Sequence, residues 1–193
     1  MDDDLAARTA AAVAWVEGHE KREAQLAEAV GRVTINAADL EVGLTLLLEG
    51  VLGPRSVLAT SAAPASKKIE WLLAVAKDRG VCSAETGNEL KEVLLRSRAA
   101  LKNRNSTVHA LWIQLPDSRF GRLAQQLTGG TFKGVAVETK QITEVAEELK
   151  VCAGQLYDVR ASLEDQWGGP HAPAPTVDRE NRTIEQALEA DSQ

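Results

Sequence analysis

One stretch of the sequence decides the fold: AETGNELKEVLLRSRAALKNRNSTVH, residues 84–109. Positions three or four residues apart form a mainly apolar stripe, made of Leu90, Leu94, Ser97, Leu101, Arg104 and Val108. Residues at that spacing share one face of an α-helix, whereas a strand alternates every second residue. The stretch therefore predicts a long helix from about Ala84 to His109, buried along one side.

The same periodicity extends to both sides of this helix. Residues 30–52 predict a helix that Gly53-Pro54 ends, with an apolar face of Val33, Ala37, Leu40, Leu44, Leu47, Leu48 and Val51. Residues 3–30 predict either one amphipathic helix or two that are separated by a break near Gly18. Another helix is expected from an N-cap at Ser66 to about Gly80, and a last helix from Thr139 to Trp167.

Residues 111–138 differ from the rest of the chain. Leu111–Leu115 and Phe132–Val137 look like strands, and Pro116-Asp117-Ser118 is typical of a turn. These residues predict a short β-hairpin or an irregular excursion. The expected fold is all-α, a bundle of four or five helices with this small excursion after the residue 84–109 helix.

The sequence predicts three parts along the chain. Residues 1–24 would form an N-terminal helical arm, and residues 25–167 a helical domain. Residues 168–193 begin with Gly-Gly-Pro-His-Ala-Pro-Ala-Pro and continue with polar residues, which is typical of a flexible tail.

Composition excludes several classes of protein. The 193 residues contain 28 acidic and 22 basic side chains, a net charge of −6, which argues against a general nucleic-acid coat but allows a local basic cleft. Cys82 and Cys152 stand alone, which favours buried thiols in a reducing cytoplasm over a zinc site. An acidic beginning and a short most-apolar stretch, Leu44–Leu52, predict a cytoplasmic protein with no signal peptide or membrane contact.

The end of the residue 84–109 helix is the one strongly basic segment. No carboxylate occurs between Glu92 and Asp117, and the cations there include Arg96, Arg98, Lys102 and Arg104. Arg104-Asn105-Ser106-Thr107-Val108-His109 adds an amide and an imidazole. Positive charge holds a phosphate, and an imidazole exchanges protons near neutral pH. This segment is therefore the candidate site.

Helix geometry constrains how these residues act. Asn105 and His109 are four residues apart on one face, where the amide can orient the imidazole. Arg104 and His109 are five apart, roughly 140° around a helix, so one helix does not aim both at one target. Two such helices that meet at a twofold axis would do so, because each would contribute an Arg, an Asn and a His to a shared cleft. Because a helix C-terminus repels phosphate, Arg104, Lys102 and Arg98 must supply the attraction.

The Arg104…His109 run and the order of the predicted elements resemble HEPN domains (higher eukaryotes and prokaryotes nucleotide-binding), whose signature is Arg-x4-His. The resemblance covers residues 25–167. Many HEPN domains are homodimeric, metal-independent endoribonucleases with the motif at the dimer interface. The resemblance implies that His109 is the general acid/base for attack by the ribose 2′-hydroxyl. Arg104 would stabilise charge on phosphorus, and Asn105 would orient His109.

The resemblance also implies RNA as the substrate, no metal or cofactor, a homodimer, and a toxin or phage-defence setting with a cognate antitoxin or regulator. One position departs from the family. HEPN toxins that pair with nucleotidyltransferase antitoxins have Tyr two residues after the His, where this chain has Leu111. That departure weakens this particular pairing and leaves the catalytic positions unchanged.

Other interpretations of the same residues stay open. Arg104 and His109 could serve structure, as a dimer salt-bridge partner and a helix-end cation. Glu41 could pair with Arg104 or contact substrate, or it could be a solvated flank. The cations Arg96, Arg98 and Lys102 could form an ordinary solvated face, and Trp71 and Trp112 are expected as core or interface anchors. The rival function is a non-catalytic helical dimer that binds a nucleotide, RNA or a protein.

Overall fold

The structure, a computed structural model, describes residues 2–53, 60–115, 120–125 and 132–168. In chain order its elements are α1 (Asp2–Leu52), α2 (Ala65–Val75), α3 (Ala84–Val108), β1 (Leu111–Gln114), β2 (Phe120–Gln125), β3 (Phe132–Val137) and α4 (Thr139–Gln166). Most of the described residues are helical. The expectation of a mostly helical protein with a small β excursion is confirmed.

Helix α1 is a single helix of 51 residues. The alternative with a break near Gly18 and the separate helix from residue 30 are therefore wrong. A glycine inside a helix costs only about 1 kcal/mol relative to alanine, and the alanines and charged residues around it are strong helix formers. The predicted end is confirmed, because Gly53 has a φ of 83° and its N–H donates to the carbonyl oxygen of Glu49 over 2.8 Å.

Helix α2 is shorter than predicted at its C-terminal end. Its N-cap is Pro64, with a φ of −63° and a ψ of 150°, so Ser66 lies within the first turn. It ends at Val75 rather than near Gly80. The reason is local, since the Asp78 carboxylate accepts the N–H of Gly80 over 2.8 Å and draws the chain into a turn.

Helices α3 and α4 lie where the sequence analysis predicted them. Ser83 caps α3, because its hydroxyl oxygen accepts the N–H of Thr86 over 3.1 Å. Helix α3 stops at Val108, one residue before the predicted end, so His109 occupies the turn that follows.

The excursion is a three-stranded antiparallel sheet in the order β1-β2-β3 rather than a hairpin. Strand β2 was not predicted, because Gly121, Arg122 and Gln125 interrupt the alternation by which a strand is recognised. In the sheet, Arg122 is paired with Trp112 of β1 and with Val135 of β3. This register fixes the position of Arg122 along the sheet.

The chain divides into two compact units, one of residues 1–35 and 103–147, the other of residues 36–102 and 148–193. The apolar core of the second unit contains Leu40, Leu44, Leu48, Ile69, Leu72, Leu90, Leu94, Leu149, Leu156 and Leu163, each fully buried. In the first unit the buried residues include Leu26, Ala29, Val33, Ile142 and Ala146. The predicted division at residues 24 and 167 stays a prediction, and residues 169–193 of the tail lie outside the described residues.

Both cysteines are buried and free. Burial raises the pKa of the Cys82 thiol to about 11 and also raises that of Cys152. The expectation of buried thiols is confirmed. Trp71 is buried, as expected of a core anchor, while Trp112 is half-buried.

Candidate functional site

The end of α3 is fixed by hydroxyl groups that bond back to the helix. Ser106 donates to the carbonyl oxygen of Asn103 over 2.8 Å, and Thr107, which is buried, donates to the same oxygen over 3.0 Å. Side-chain bonds of this kind give a carbonyl near the end of the helix additional donors. The backbone N–H of His109 then donates to the carbonyl oxygen of Asn105 over 3.2 Å. The motif residues therefore lie at an ordered helix end.

Arg104 and Asn105 contact each other directly. The Nη1 of Arg104 donates to the Oδ1 of Asn105 over 2.9 Å. Within the described part of the chain, the side chains of Asn105 and His109 share no hydrogen bond. The amide oxygen is thus engaged by the arginine, and any role of Asn105 in orienting His109 would fall to its NH₂ group.

Arg104 also has an unsatisfied donor. Its Nε is buried and has no hydrogen-bond partner among the residues that the structure describes. A buried donor without an acceptor costs about 1–3 kcal/mol, and more when the group is charged. An anion or a carbonyl that reached this edge of the guanidinium, after a small shift of the side chain, would supply the missing acceptor.

His109 is exposed at the turn between α3 and β1. Over the described ranges, which omit residues 116–119 and 126–131, no side chain donates to or accepts from its imidazole. An exposed imidazole with both ring nitrogens open to solvent can bind a substrate and exchange a proton. No described side chain bonds to either ring nitrogen of His109, so none selects one tautomer.

Arg122 is a candidate residue that the sequence analysis missed. From β2, its Nη1 donates to the Ser106 hydroxyl oxygen over 3.1 Å and to the Ser106 carbonyl oxygen over 3.4 Å. The two residues are 16 positions apart and Arg122 lies on β2, which was not predicted, so only the fold brings them together. In the sequence the one available signal was a cation within residues 111–138, the segment that was expected to contain strands.

Two guanidinium groups therefore lie at the C-terminal end of α3. The helix dipole makes this end negative and repels a phosphate. Arg104, just before the last turn, and Arg122 from the sheet each add a fixed positive charge against that repulsion. Their arrangement makes this end of the first unit suitable for an anion.

The three other predicted substrate contacts lie in the second unit. Arg98 and Lys102 are exposed on α3, and Glu41 is half-buried on α1. The negative charge of Glu41 acts on Lys68. The side chain of Lys68 is 4% exposed, and its ammonium donates to the hydroxyl of Thr45 over 2.8 Å. Burial lowers the pKa of Lys68, and the charge of Glu41 opposes part of that shift.

Arg96, a cation of the same basic segment, is paired within the second unit. Its Nη2 donates to Glu148 over 2.8 Å, its Nε bonds the other carboxylate oxygen, and its Nη1 donates to Gln155 over 3.3 Å. The hydrogen bond from Arg96 lowers the pKa of Glu148. Arg96 thus joins α3 to α4 and is less available to a substrate than the other cations.

A groove of about 270 Å³ lies elsewhere in the first unit, between α1 and the start of α4. It is lined by Gln25, Glu28, Ala29, Arg32, Thr139 and Thr143, and none of the motif residues contributes to it. Across the described residues there is no cluster of three or more His, Cys, Asp or Glu that could hold a metal ion. No described helix has the length and apolar character needed to cross a membrane.

No protein-family profile, no curated protein and no solved structure matches this chain. The resemblance to HEPN domains therefore depends on the motif and on the order of the elements.

Proposed function

We propose that the protein is a cytoplasmic, metal-independent endoribonuclease with an HEPN-like helical bundle, acting in a toxin or phage-defence setting. The observation that supports this most is the grouping at the end of α3 of an exposed imidazole, His109, with two guanidinium groups, those of Arg104 and Arg122. Cleavage of RNA next to a 2′-hydroxyl needs a proton acceptor and positive charge at phosphorus, and these side chains can supply both.

In the proposed reaction His109 accepts the proton of a ribose 2′-hydroxyl. The oxygen attacks the adjacent phosphorus, the bond from phosphorus to the 5′-oxygen breaks, and that leaving oxygen takes up a proton. The products are a 2′,3′-cyclic phosphate and a 5′-hydroxyl end. Arg104 binds the phosphoryl oxygens, where charge develops, and Arg122 adds a second cation nearby.

Two copies would form the complete site. Arg104 lies just before the last turn of α3 and His109 just beyond the helix, roughly 140° apart if the helical path continued. At a twofold axis, His109 of one copy and Arg104 of the other can face the same phosphate. Arg98 and Lys102 would then bind flanking phosphates, and Glu41 is the weakest of the proposed contacts.

The proposal is tested by incubating the protein with total RNA and transfer RNA in EDTA and mapping the new ends. Wild type should leave 2′,3′-cyclic phosphates. Because removing one preorganised charge or proton carrier typically lowers the rate by about 10²–10³, Arg104→Ala and His109→Ala should show almost no cleavage. Arg79→Ala changes an exposed arginine outside the candidate site, and this matched control should cleave normally.

The alternative is a non-catalytic helical dimer that binds a nucleotide, RNA or a protein. The bond from Arg104 to Asn105 favours it, since the amide that would orient His109 already accepts from the arginine. In that case wild type leaves every RNA intact in EDTA. Arg104→Ala and His109→Ala then lose stability, self-association or ligand binding.

A further inference from the structure

The three-stranded sheet has two faces of different chemistry. Side chains alternate between the faces along a strand, and residues paired across strands share a face. The rows that cross all three strands therefore divide into two sets. One set holds only aliphatic residues and glycine, namely Leu111, Leu123, Gly134, Ile113, Gly121 and Ala136. The other set, here named the aromatic face, holds two rings, a guanidinium group and an amide, in Trp112, Gln114, Phe120, Arg122, Val135 and Val137.

The middle of the aromatic face lies beside the candidate site. Trp112 of β1 is paired with Arg122 of β2, and paired residues have Cβ atoms about 4.5–5.5 Å apart. Arg122 reaches from there to the last turn of α3, where its guanidinium donates to the Ser106 hydroxyl oxygen over 3.1 Å. Trp112 also follows His109 closely along the chain. The sheet thus holds an indole ring close to the cations and the imidazole of the proposed site.

The aromatic face is partly open to solvent. Trp112 and Arg122 are half-buried, Gln114 is exposed, and Val135, at the far end of the central row, is 52% exposed. Strand β1, which carries Trp112, is an edge of the sheet. A half-buried ring keeps apolar surface that a planar ligand can cover.

A nucleotide of RNA matches this combination of groups. Its phosphate is an anion, and its base is a flat ring that lies one ribose away. Unpaired bases of RNA stack on aromatic side chains while cations hold the backbone. Arg104 and Arg122 supply the cations here, and Trp112 supplies the ring.

We propose that the aromatic face is a base-binding subsite, in which the indole of Trp112 stacks on the base next to the phosphate held by Arg104 and Arg122. The inference rests on the proposed function, since it takes RNA as the ligand of the site. Stacking accepts any base, because every base has a flat π surface. Trp112 therefore adds affinity without fixing the sequence that is bound.

The first experiment measures the affinity of the full chain for a short labelled single-stranded RNA by fluorescence anisotropy. Methylation of every 2′-oxygen removes the nucleophile, so that binding alone is measured. Trp112→Ala should raise the Kd by about 5- to 100-fold, the usual effect of removing a stacked ring. Trp112→Phe keeps a ring and should retain most of the affinity. Leu111→Ala is the matched control, since Leu111 lies on the other face, is 60% exposed, and should leave the Kd unchanged.

The second experiment leaves the protein unchanged, so it does not depend on how Trp112→Ala folds. A series of the same RNA lacks one base at a time and keeps every phosphate. One abasic position should raise the Kd of wild type by the factor that Trp112→Ala produces. That RNA should bind Trp112→Ala no more weakly than intact RNA does, because the base and the ring make one interaction. A tryptophan that only anchors the sheet would change thermal stability and show no such coupling.

Equal Kd values of wild type for intact RNA and for every abasic RNA would overturn the inference, as would an absence of binding to intact RNA. The proposed nuclease is judged separately, by cleavage of unmodified RNA in EDTA. Cleavage without any effect of a base on affinity would leave the nuclease and remove the subsite. Binding that depends on Trp112 and on one base, with unmodified RNA left intact, would do the reverse.

Discussion

At the scale of single residues, the candidate site depends on how its cations are held. Arg104 is bound to its neighbour Asn105, and Arg122 is bound to Ser106. Arg96, by contrast, is held by a carboxylate, which neutralises it. Charge that is fixed by neutral acceptors keeps its attraction for an anion, whereas charge paired with a carboxylate loses most of it. The two fixed, unneutralised arginines are therefore the positions to test.

Arg122→Met keeps most of the side-chain length but removes the donor to Ser106. We expect the free energy of unfolding to fall by about 1 kcal/mol, the usual net value of such a hydrogen bond. Urea denaturation followed by circular dichroism measures this, with Arg79→Met as the control at an exposed arginine. Unchanged midpoints for both variants would mean that the bond from β2 to α3 contributes nothing.

Lys68 gives a prediction about pH. Burial lowers its pKa below the ordinary 10.5, so in the folded chain it loses its proton at a lower pH than in the unfolded chain. Between the lowered pKa and 10.5 the unfolded state binds more protons, and raising the pH there stabilises the fold. The free energy of unfolding of wild type should therefore rise relative to that of Lys68→Met across this window. A constant difference over the alkaline titration would contradict the lowered pKa.

At the scale of elements, α2 and α3 meet at a contact that only glycine permits. A Cβ built at Gly87 would lie 2.4 Å from the carbonyl oxygen of Ala76, whereas one built at Gly154 of α4 would meet nothing within 4 Å. Glycine is required at position 87 because two backbones approach each other closely there. Gly154 is an ordinary weak point in a helix.

Replacing each of these two glycines by alanine should change the free energy of unfolding in opposite directions. Gly87→Ala must displace backbone, and we expect it to lower the free energy of unfolding by about 1–3 kcal/mol, as overpacking does. Gly154→Ala should raise it by about 0.5–1 kcal/mol through helix propensity. Thermal denaturation of both variants beside wild type gives the comparison. A stabilising Gly87→Ala would show that the start of α3 can move away from α2.

At the scale of the whole molecule, a net charge of −6 repels RNA, so binding must depend on a few local cations. Each phosphate contact made by a cation releases counterions, and affinity for a single strand falls with salt by a logarithmic slope of about 0.7 per contact. A protein of this charge should therefore bind RNA only weakly at high salt.

Arg98→Ala and Lys102→Ala should each reduce the salt dependence of RNA binding, lowering the slope by about 0.7 if that cation contacts a phosphate. Arg79→Ala should leave the slope unchanged. Fluorescence anisotropy of a labelled single-stranded RNA over a range of salt concentrations measures the slope. Equal slopes for wild type and all variants would remove Arg98 and Lys102 from the proposed binding surface.

The sequence by itself determined α3, α4 and the motif. The spacing of apolar residues placed α3 and α4 to within about a residue, because burial on one face imposes a helical period on the sequence. Gly53 marked the end of α1, since it adopts a positive φ. The basic segment and the Arg104…His109 run were also visible, because charge and spacing are properties of the chain alone.

Contacts between residues distant along the chain were decided only by the tertiary structure. It formed β2, whose residues lack alternation and are held by strands on both sides. Through that strand it brought Arg122 to Ser106, and it bound Arg96 to Glu148. Such contacts arise from packing between elements, which a local sequence pattern does not encode.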